Sequence, residues 1–284
     1  MQPLRSEKTG ISYTSTGEAD APPVVCLHGF PNIPRTWDLL TEVLGRDGFR
    51  VIAPWLPGYA PSSLDEPLDL LAVIGRLLTF IDELSPDVPV RLVGHDWGAF
   101  MAYGALSQRP ERFRAAAILS IPHPLVLEEN IGKFPRQLLR SSYMAFFQLP
   151  AVPERLIRAR NFALIERLWK IWSPGFDPGT EYFDELKQCL RVSMPAPLSY
   201  YRSLRLPKVI RGLRALLRTD PIPVPTLYLH GERDGCMGVE LIDGQERYFS
   251  ALFETVRLTE AGHFLHLERP TEVNQAIRDW FLAH

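Results

Sequence analysis

Cysteine is scarce in this 284-residue chain. The three present, Cys26, Cys189 and Cys236, are far apart, odd in number and in no CxxC or zinc-like spacing. Reduced thiols fit that pattern; a disulfide framework or a metal site does not. Long apolar runs are missing as well. None approaches the ~20 residues needed to cross a bilayer, and Met1-Gln2-Pro3-Leu4-Arg5-Ser6-Glu7-Lys8 lacks the apolar core of a signal peptide. A cytoplasmic location follows by default. The formal charge is only -2 and pI ≈ 6.4, with no block of like charge and no internal repeat, so nucleic acid is not an expected partner.

What is abundant is the material of an ordinary globular core: 46% hydrophobic and 23% charged residues, enough for one sizeable core with an insertion. Ile11 to Thr16 alternates like a strand. Val24-Val25-Cys26-Leu27, Arg50-Val51-Ile52-Ala53, Val90 to Val93, Ala115 to Leu119 and Thr226 to His230 are short apolar runs, and Thr255 to Leu258 is one more strand. Helical spacing occupies Leu39 to Leu44, Leu68 to Leu84, Trp97 to Leu106, Val239 to Phe249 and the end from Thr271. Strands alternating with helices of this length make a mostly parallel sheet with helices on both faces, an α/β fold whose site lies at the carboxyl ends of the strands. From His123 to about Asp220 the pattern changes to helical stripes broken by prolines: Arg136 to Leu149, Glu154 to Trp172, Tyr182 to Val192 and Leu198 to Leu206. The expected division is a core of residues 1–122 and 219–284 around an inserted all-helical cap, 123–218.

The tightest punctuation in the chain is Gly94-His95-Asp96-Trp97-Gly98, where a buried strand stops and a helix begins. Its spacing is that of a nucleophile elbow, a turn so tight that the residues two before and two after the centre must be small. Asp tolerates positive φ better than most residues, and the helix dipole favours its ionised form. A plain helix cap after a glycine turn would look the same. Two further residues remove the ambiguity: Asp234 and His263 each follow a predicted strand, in the chain order nucleophile, acid, base. The competing acid position, Ser120-Ile121-Pro122-His123, offers no carboxylate, and Asp243 lies inside a predicted helix.

An aspartate nucleophile narrows the chemistry. Attack on an ester carbonyl would give a reactive anhydride, whereas attack on a saturated carbon bearing a leaving group gives a simple alkyl ester. Epoxides and alkyl halides fit. Release requires water activated by His263, with Asp234 fixing the imidazole tautomer. The tetrahedral intermediate forms on Asp96 itself, so its oxyanion needs donors beside that turn: the backbone N–H groups of Phe30 and Trp97. A cis Phe30-Pro31 bond would aim the first, although an X-Pro bond is trans by default.

His28-Gly29-Phe30-Pro31, Gly94 to Ala99, Gly231-Glu232-Arg233-Asp234 and Gly262-His263-Phe264 together resemble the α/β-hydrolase-fold epoxide hydrolases, over almost the whole chain. The resemblance implies two tyrosines in the lid that hold and protonate the epoxide oxygen. Tyr143, in Tyr143 to Gln148, and Tyr201, in Ser199 to Arg202, stand in the matching stretches. An epoxide oxygen leaves as a basic alkoxide, and a phenol with pKa ~10 stays protonated at neutral pH to meet it. Tyr143 is expected to share a face with Leu139, Phe146 and Phe147, and Tyr201 with Leu198 and Leu204; Tyr200 fits the register less well. Leu56-Pro57-Gly58-Tyr59-Ala60-Pro61 departs from the arginine-glycine-tyrosine-glycine form usual in the family.

The expected activity is hydrolysis of an epoxide to a vicinal diol, without cofactor or metal. Phe30, Pro31, Trp97, Phe146, Phe147 and Trp172 are the candidate substrate contacts, and the aromatic lid residues Phe146, Phe147 and Trp172 suit a small apolar epoxide. A homodimer is left open. The nearest rival is a haloalkane or haloacid dehalogenase with the same nucleophile, but Phe30 stands where haloalkane dehalogenases carry Asn or Glu. A ligand receptor on the same scaffold is the third reading.

Overall fold

The computed structural model describes residues 2–204, 214, 217 and 221–284. One sheet holds β1 (Leu4–Arg5), β2 (Ser12–Thr16), β3 (Pro23–Leu27), β4 (Arg50–Pro54), β5 (Val90–His95), β6 (Phe113–Leu119), β7 (Thr226–Gly231) and β8 (Phe253–Leu258). Their spatial order is β1-β2-β4-β3-β5-β6-β7-β8. β2 runs antiparallel to β1 and β4, and every pairing from β4 through to β8 is parallel. Strand β1 was not foreseen, because two residues are too few to show alternation.

Successive side chains of the central strands part to opposite faces. Val24, Cys26, Val51, Val93, Ala117 and Leu229 pack with α1 (Asp38–Arg46) and the C-terminal helix Pro270–Ala283. Val25, Leu27, Ile52, Leu92, Ile118 and Tyr228 pack with α2 (Leu70–Leu84) and α3 (Trp97–Gln108). Both faces are covered, which is why these strands read as continuous apolar runs. Each large side chain so buried contributes about 1.5–3 kcal/mol. Helix α2 begins after Asp69, whose carboxylate accepts the Ala72 N–H at 3.1 Å. Helix α3 begins without such a cap, at Asp96, and lies close under β3: a Cβ on Gly98 would stand 2.3 Å from Leu27 O, and one on Gly94 2.6 Å from Gly98 O.

Between β6 and β7 the described residues form α4 (Pro124–Asn130), α5 (Pro135–Arg140), α6 (Ser142–Phe146), α7 (Val152–Arg158), α8 (Ala163–Trp172), α9 (Thr180–Ser193) and α10 (Leu198–Ser203), and no strand. Two of the expected stripes are broken. The stripe Arg136 to Leu149 divides at Ser141, and the turn leaves Leu139 77% exposed instead of on the Tyr143 face. The stripe Glu154 to Trp172 divides at Arg160, Asn161 and Phe162, all with positive φ. Phe162 is nonetheless buried, and its packing overrides the local preference for helix. The expected helix Val239 to Phe249 is reduced to two short 3-10 turns, Val239–Leu241 and Gln245–Tyr248, separated by Gly244 at φ 86°. The end of the Leu198 to Leu206 stripe and the boundary at 218/219 lie outside the described residues. No described helix is long and apolar enough to cross a membrane.

Candidate active site

Asp96 lies between β5 and α3 at φ 52°, the positive value the elbow demands, and is 4% exposed. Its Oδ1 accepts the Phe30 N–H at 2.7 Å, from the turn after β3. The Phe30-Pro31 bond is cis. Trp97 contributes the first N–H of α3, one of the donors that a helix start leaves without an intrahelical acceptor. The neighbouring histidines stay neutral and are poor proton acceptors. Burial holds His95 down to about 3 and His28 down to about 4.

Asp234 follows β7, and His263 follows β8. His263 Nδ1 donates to Asp234 Oδ2 at 2.8 Å, while Nε2 lies 3.6 Å from Asp96 Oδ2, too long for a direct hydrogen bond. Asp234 Oδ1 accepts from the Cys236 and Met237 N–H groups, each at 2.7 Å, so both its oxygens are engaged. Burial favours a neutral carboxyl there, yet the facing imidazole wins and keeps the Asp234 pKa below its ordinary value. Burial likewise favours a neutral imidazole, but Asp234 and then Asp96 outweigh it and raise His263 from 6.5 to about 10. Ser120, at the position without a carboxylate, serves the histidine instead: its Oγ donates to His263 O at 2.7 Å.

Two phenols stand over this group. The Tyr143 and Tyr201 rings are 5.8 Å apart, edge to face, and Tyr143 Oη lies 3.4 Å from Cys236 Sγ. Among the described residues the Tyr201 hydroxyl makes no hydrogen bond of ordinary geometry. Burial pushes both phenols well above 10, so each is a proton donor at neutral pH. Tyr200 donates to Pro57 O and is thereby engaged elsewhere.

A cavity of ≈ 370 Å³ opens on Asp96, Trp97, Tyr143 and Tyr201. Its walls are largely apolar, with Leu125, Leu127 and Ile131 from the α4 region, Phe100, Met144 and Leu217; Glu128 and Arg214 line it too and form an ion pair. Of the six expected substrate contacts, only Trp97 lines it. Pro31 is held under α8, where its carbonyl accepts the Trp169 indole N–H at 3.2 Å. Phe30 and Phe147 are fully buried and pack on Tyr201 at 5.5 and 5.0 Å, and Phe146 packs on Phe147 at 5.7 Å. Trp172 fills the space between Tyr143 and His263, 5.0 and 5.4 Å from them. These side chains support the phenols from behind, since helix spacing shows that a ring points inward but not what it meets. The α4 wall was missed; its signal is the apolar spacing of Leu125, Leu127 and Ile131 after the Pro124 helix start.

Among the described residues, Asp234, Cys236 and His263 offer metal-ligand atoms within 4.8 Å of one another. The Asp234 oxygens and His263 Nδ1 are already bound to one another or to backbone N–H, an arrangement suited to holding a proton relay in place.

The profile of the alpha/beta hydrolase family matches residues 24–276. Epoxide hydrolase 4 of Homo sapiens is 31% identical over 290 residues, covering 96% of this chain and 76% of that protein. The chain belongs to the α/β-hydrolase family, in its epoxide hydrolase branch. The hydrolase is also 30% identical to the AB hydrolase superfamily protein YfhM of Bacillus subtilis over 95% of its own length and 93% of that protein's. Among solved structures, an epoxide hydrolase of Bacillus megaterium in complex with an inhibitor superposes with a TM-score of 0.84 at 25% identity, covering 99% of this chain and 100% of the other.

Proposed function

We propose that this hydrolase opens small apolar epoxides to vicinal diols through an ester on Asp96, and that the helices between β6 and β7 act as the cap over the reaction. The observation that carries the reading is the pair Tyr143 and Tyr201 above a carboxylate already held by the Phe30 N–H. The free Asp96 oxygen attacks one epoxide carbon, and the C–O bond breaks as the phenols protonate the departing oxygen. Esterification removes the negative charge of Asp96, one of the two that raise the His263 pKa. The imidazole becomes a better match for taking a proton from water, while Asp234 holds its tautomer and stabilises the imidazolium. Water then attacks the ester carbonyl, with the Phe30 and Trp97 N–H groups facing the oxyanion; collapse breaks the bond to the substrate oxygen, which takes the imidazolium proton and leaves as the diol, while the proton left on Asp96 restores the phenol. The relatives named as epoxide hydrolases support the substrate class.

His263→Ala incubated briefly with a terminal epoxide is expected to gain one substrate mass on the peptide carrying Asp96, read by mass spectrometry; an unmodified protein would reject the ester. A haloalkane assayed beside the epoxide separates the dehalogenase reading, which demands halide release without diol.

A further inference from the structure

The turn that carries His263 is held from the helical segment as well as from the sheet. Three consecutive N–H groups leave it for three acceptors: Gly262 donates to Glu268 Oε2 at 2.8 Å, His263 to Trp172 O at 3.0 Å and Phe264 to Ser173 Oγ at 3.0 Å. Ser173 Oγ closes the set by donating to Glu268 Oε1 at 2.6 Å. Trp172 O takes a second N–H, that of Gly235 beside Asp234, also at 3.0 Å. The end of α8 thus binds the acid-bearing turn and the base-bearing turn at once. Close approach is what permits it, since a Cβ on Gly235 would stand 1.9 Å from Ile171 O.

Ser173 is fully buried, and Glu268 is half-buried with both carboxylate oxygens used in this clamp. Neither lines the cavity, so neither has a part in meeting substrate. A half-buried carboxylate gives up much of its hydration, and hydrogen bonds to backbone N–H and hydroxyl groups offset that loss only in this one geometry. We propose that Ser173 and Glu268 are positioning residues for His263: acting through the Gly262–Phe264 backbone, they fix the imidazole where ester hydrolysis needs it. This rests on the Asp96 ester proposed above.

The two chemical steps separate this role from a merely structural one. Alkylation uses Asp96 and the phenols, whereas hydrolysis uses His263. Loosening the clamp slows only the second step, so ester accumulates and kcat and KM fall together while kcat/KM, set by the first step, holds. A variant that only lost folded protein would lose kcat at constant KM.

The experiment is rapid quench and mass spectrometry with styrene oxide on the wild type, Ser173→Ala, Glu268→Gln and a His263→Ala control, beside steady-state kinetics. The expected result for Ser173→Ala and Glu268→Gln is accumulated ester, with kcat and KM lowered ~10- to 100-fold and kcat/KM within about threefold of wild type. Glu268→Gln keeps the side chain's shape and carries the test if Ser173→Ala does not fold. Ester in the control but not in these variants, or kcat lost at constant KM, overturns the proposal alone. No ester in the His263→Ala control overturns it together with the Asp96 ester.

Discussion

At the scale of the residue, two carboxylates flank one imidazole at unequal distances, 2.8 Å for Asp234 and 3.6 Å for Asp96. The nearer one has both oxygens hydrogen-bonded, which suits the holding role proposed for it, and the greater distance of the farther one suits the nucleophile proposed above. Because the folded His263 pKa, about 10, lies above its ordinary 6.5, its stabilising effect is fully present below 6.5 and is lost as pH rises through 10. The unfolding temperature of the wild type is therefore expected to fall over that alkaline window more steeply than that of His263→Gln, by scanning fluorimetry; equal slopes would reject the raised pKa. For the phenols, Tyr143→Phe combined with Tyr201→Phe is expected to lower the alkylation rate ~10²- to 10⁴-fold. Its unfolding temperature should move by less than ~4 °C. Near-normal diol formation would remove the two residues from the chemistry.

At the scale of the element, the elbow depends on how closely α3 approaches β3. Gly98→Ala places a methyl group against the Leu27 and His28 carbonyls, backbone atoms that cannot swing aside as a side chain can. The expected cost is about 3 kcal/mol, a fall of roughly 6–12 °C in unfolding temperature. A change under ~2 °C would show that the strand and helix part easily, and that the elbow is less strained than its φ implies. The two glycines of this motif were legible from spacing alone. The kinks at Ser141 and at Arg160 to Phe162 were not, because they answer to burial of rings such as Phe162 against distant elements.

At the scale of the whole molecule, the cavity is lined jointly by residues of the helical segment and by residues at the carboxyl edge of the sheet. Leu125 and Ile131 from one side and Trp97 and Phe100 from the other share its wall. Leu125→Trp fills part of the ≈ 370 Å³. A bulky aryl epoxide should then lose kcat/KM by ~10-fold or more, while propylene oxide stays within about threefold. Equal losses on both would place the damage at Asp96 and not in the pocket.

The sequence by itself determined β2 to β8, the tight turn from Gly94 to Gly98 and the chain order of Asp96, Asp234 and His263, because strand periodicity and tight-turn chemistry are local properties of neighbouring residues; Tyr143 and Tyr201 were singled out by the family resemblance. Only the tertiary structure decided which rings line the cavity and which stand behind it, that Leu139 faces solvent, and that Ser173 reaches Glu268 across 95 positions. Such contacts depend on how separately formed elements pack, and the apolar spacing of a helix says which side is buried without saying against what.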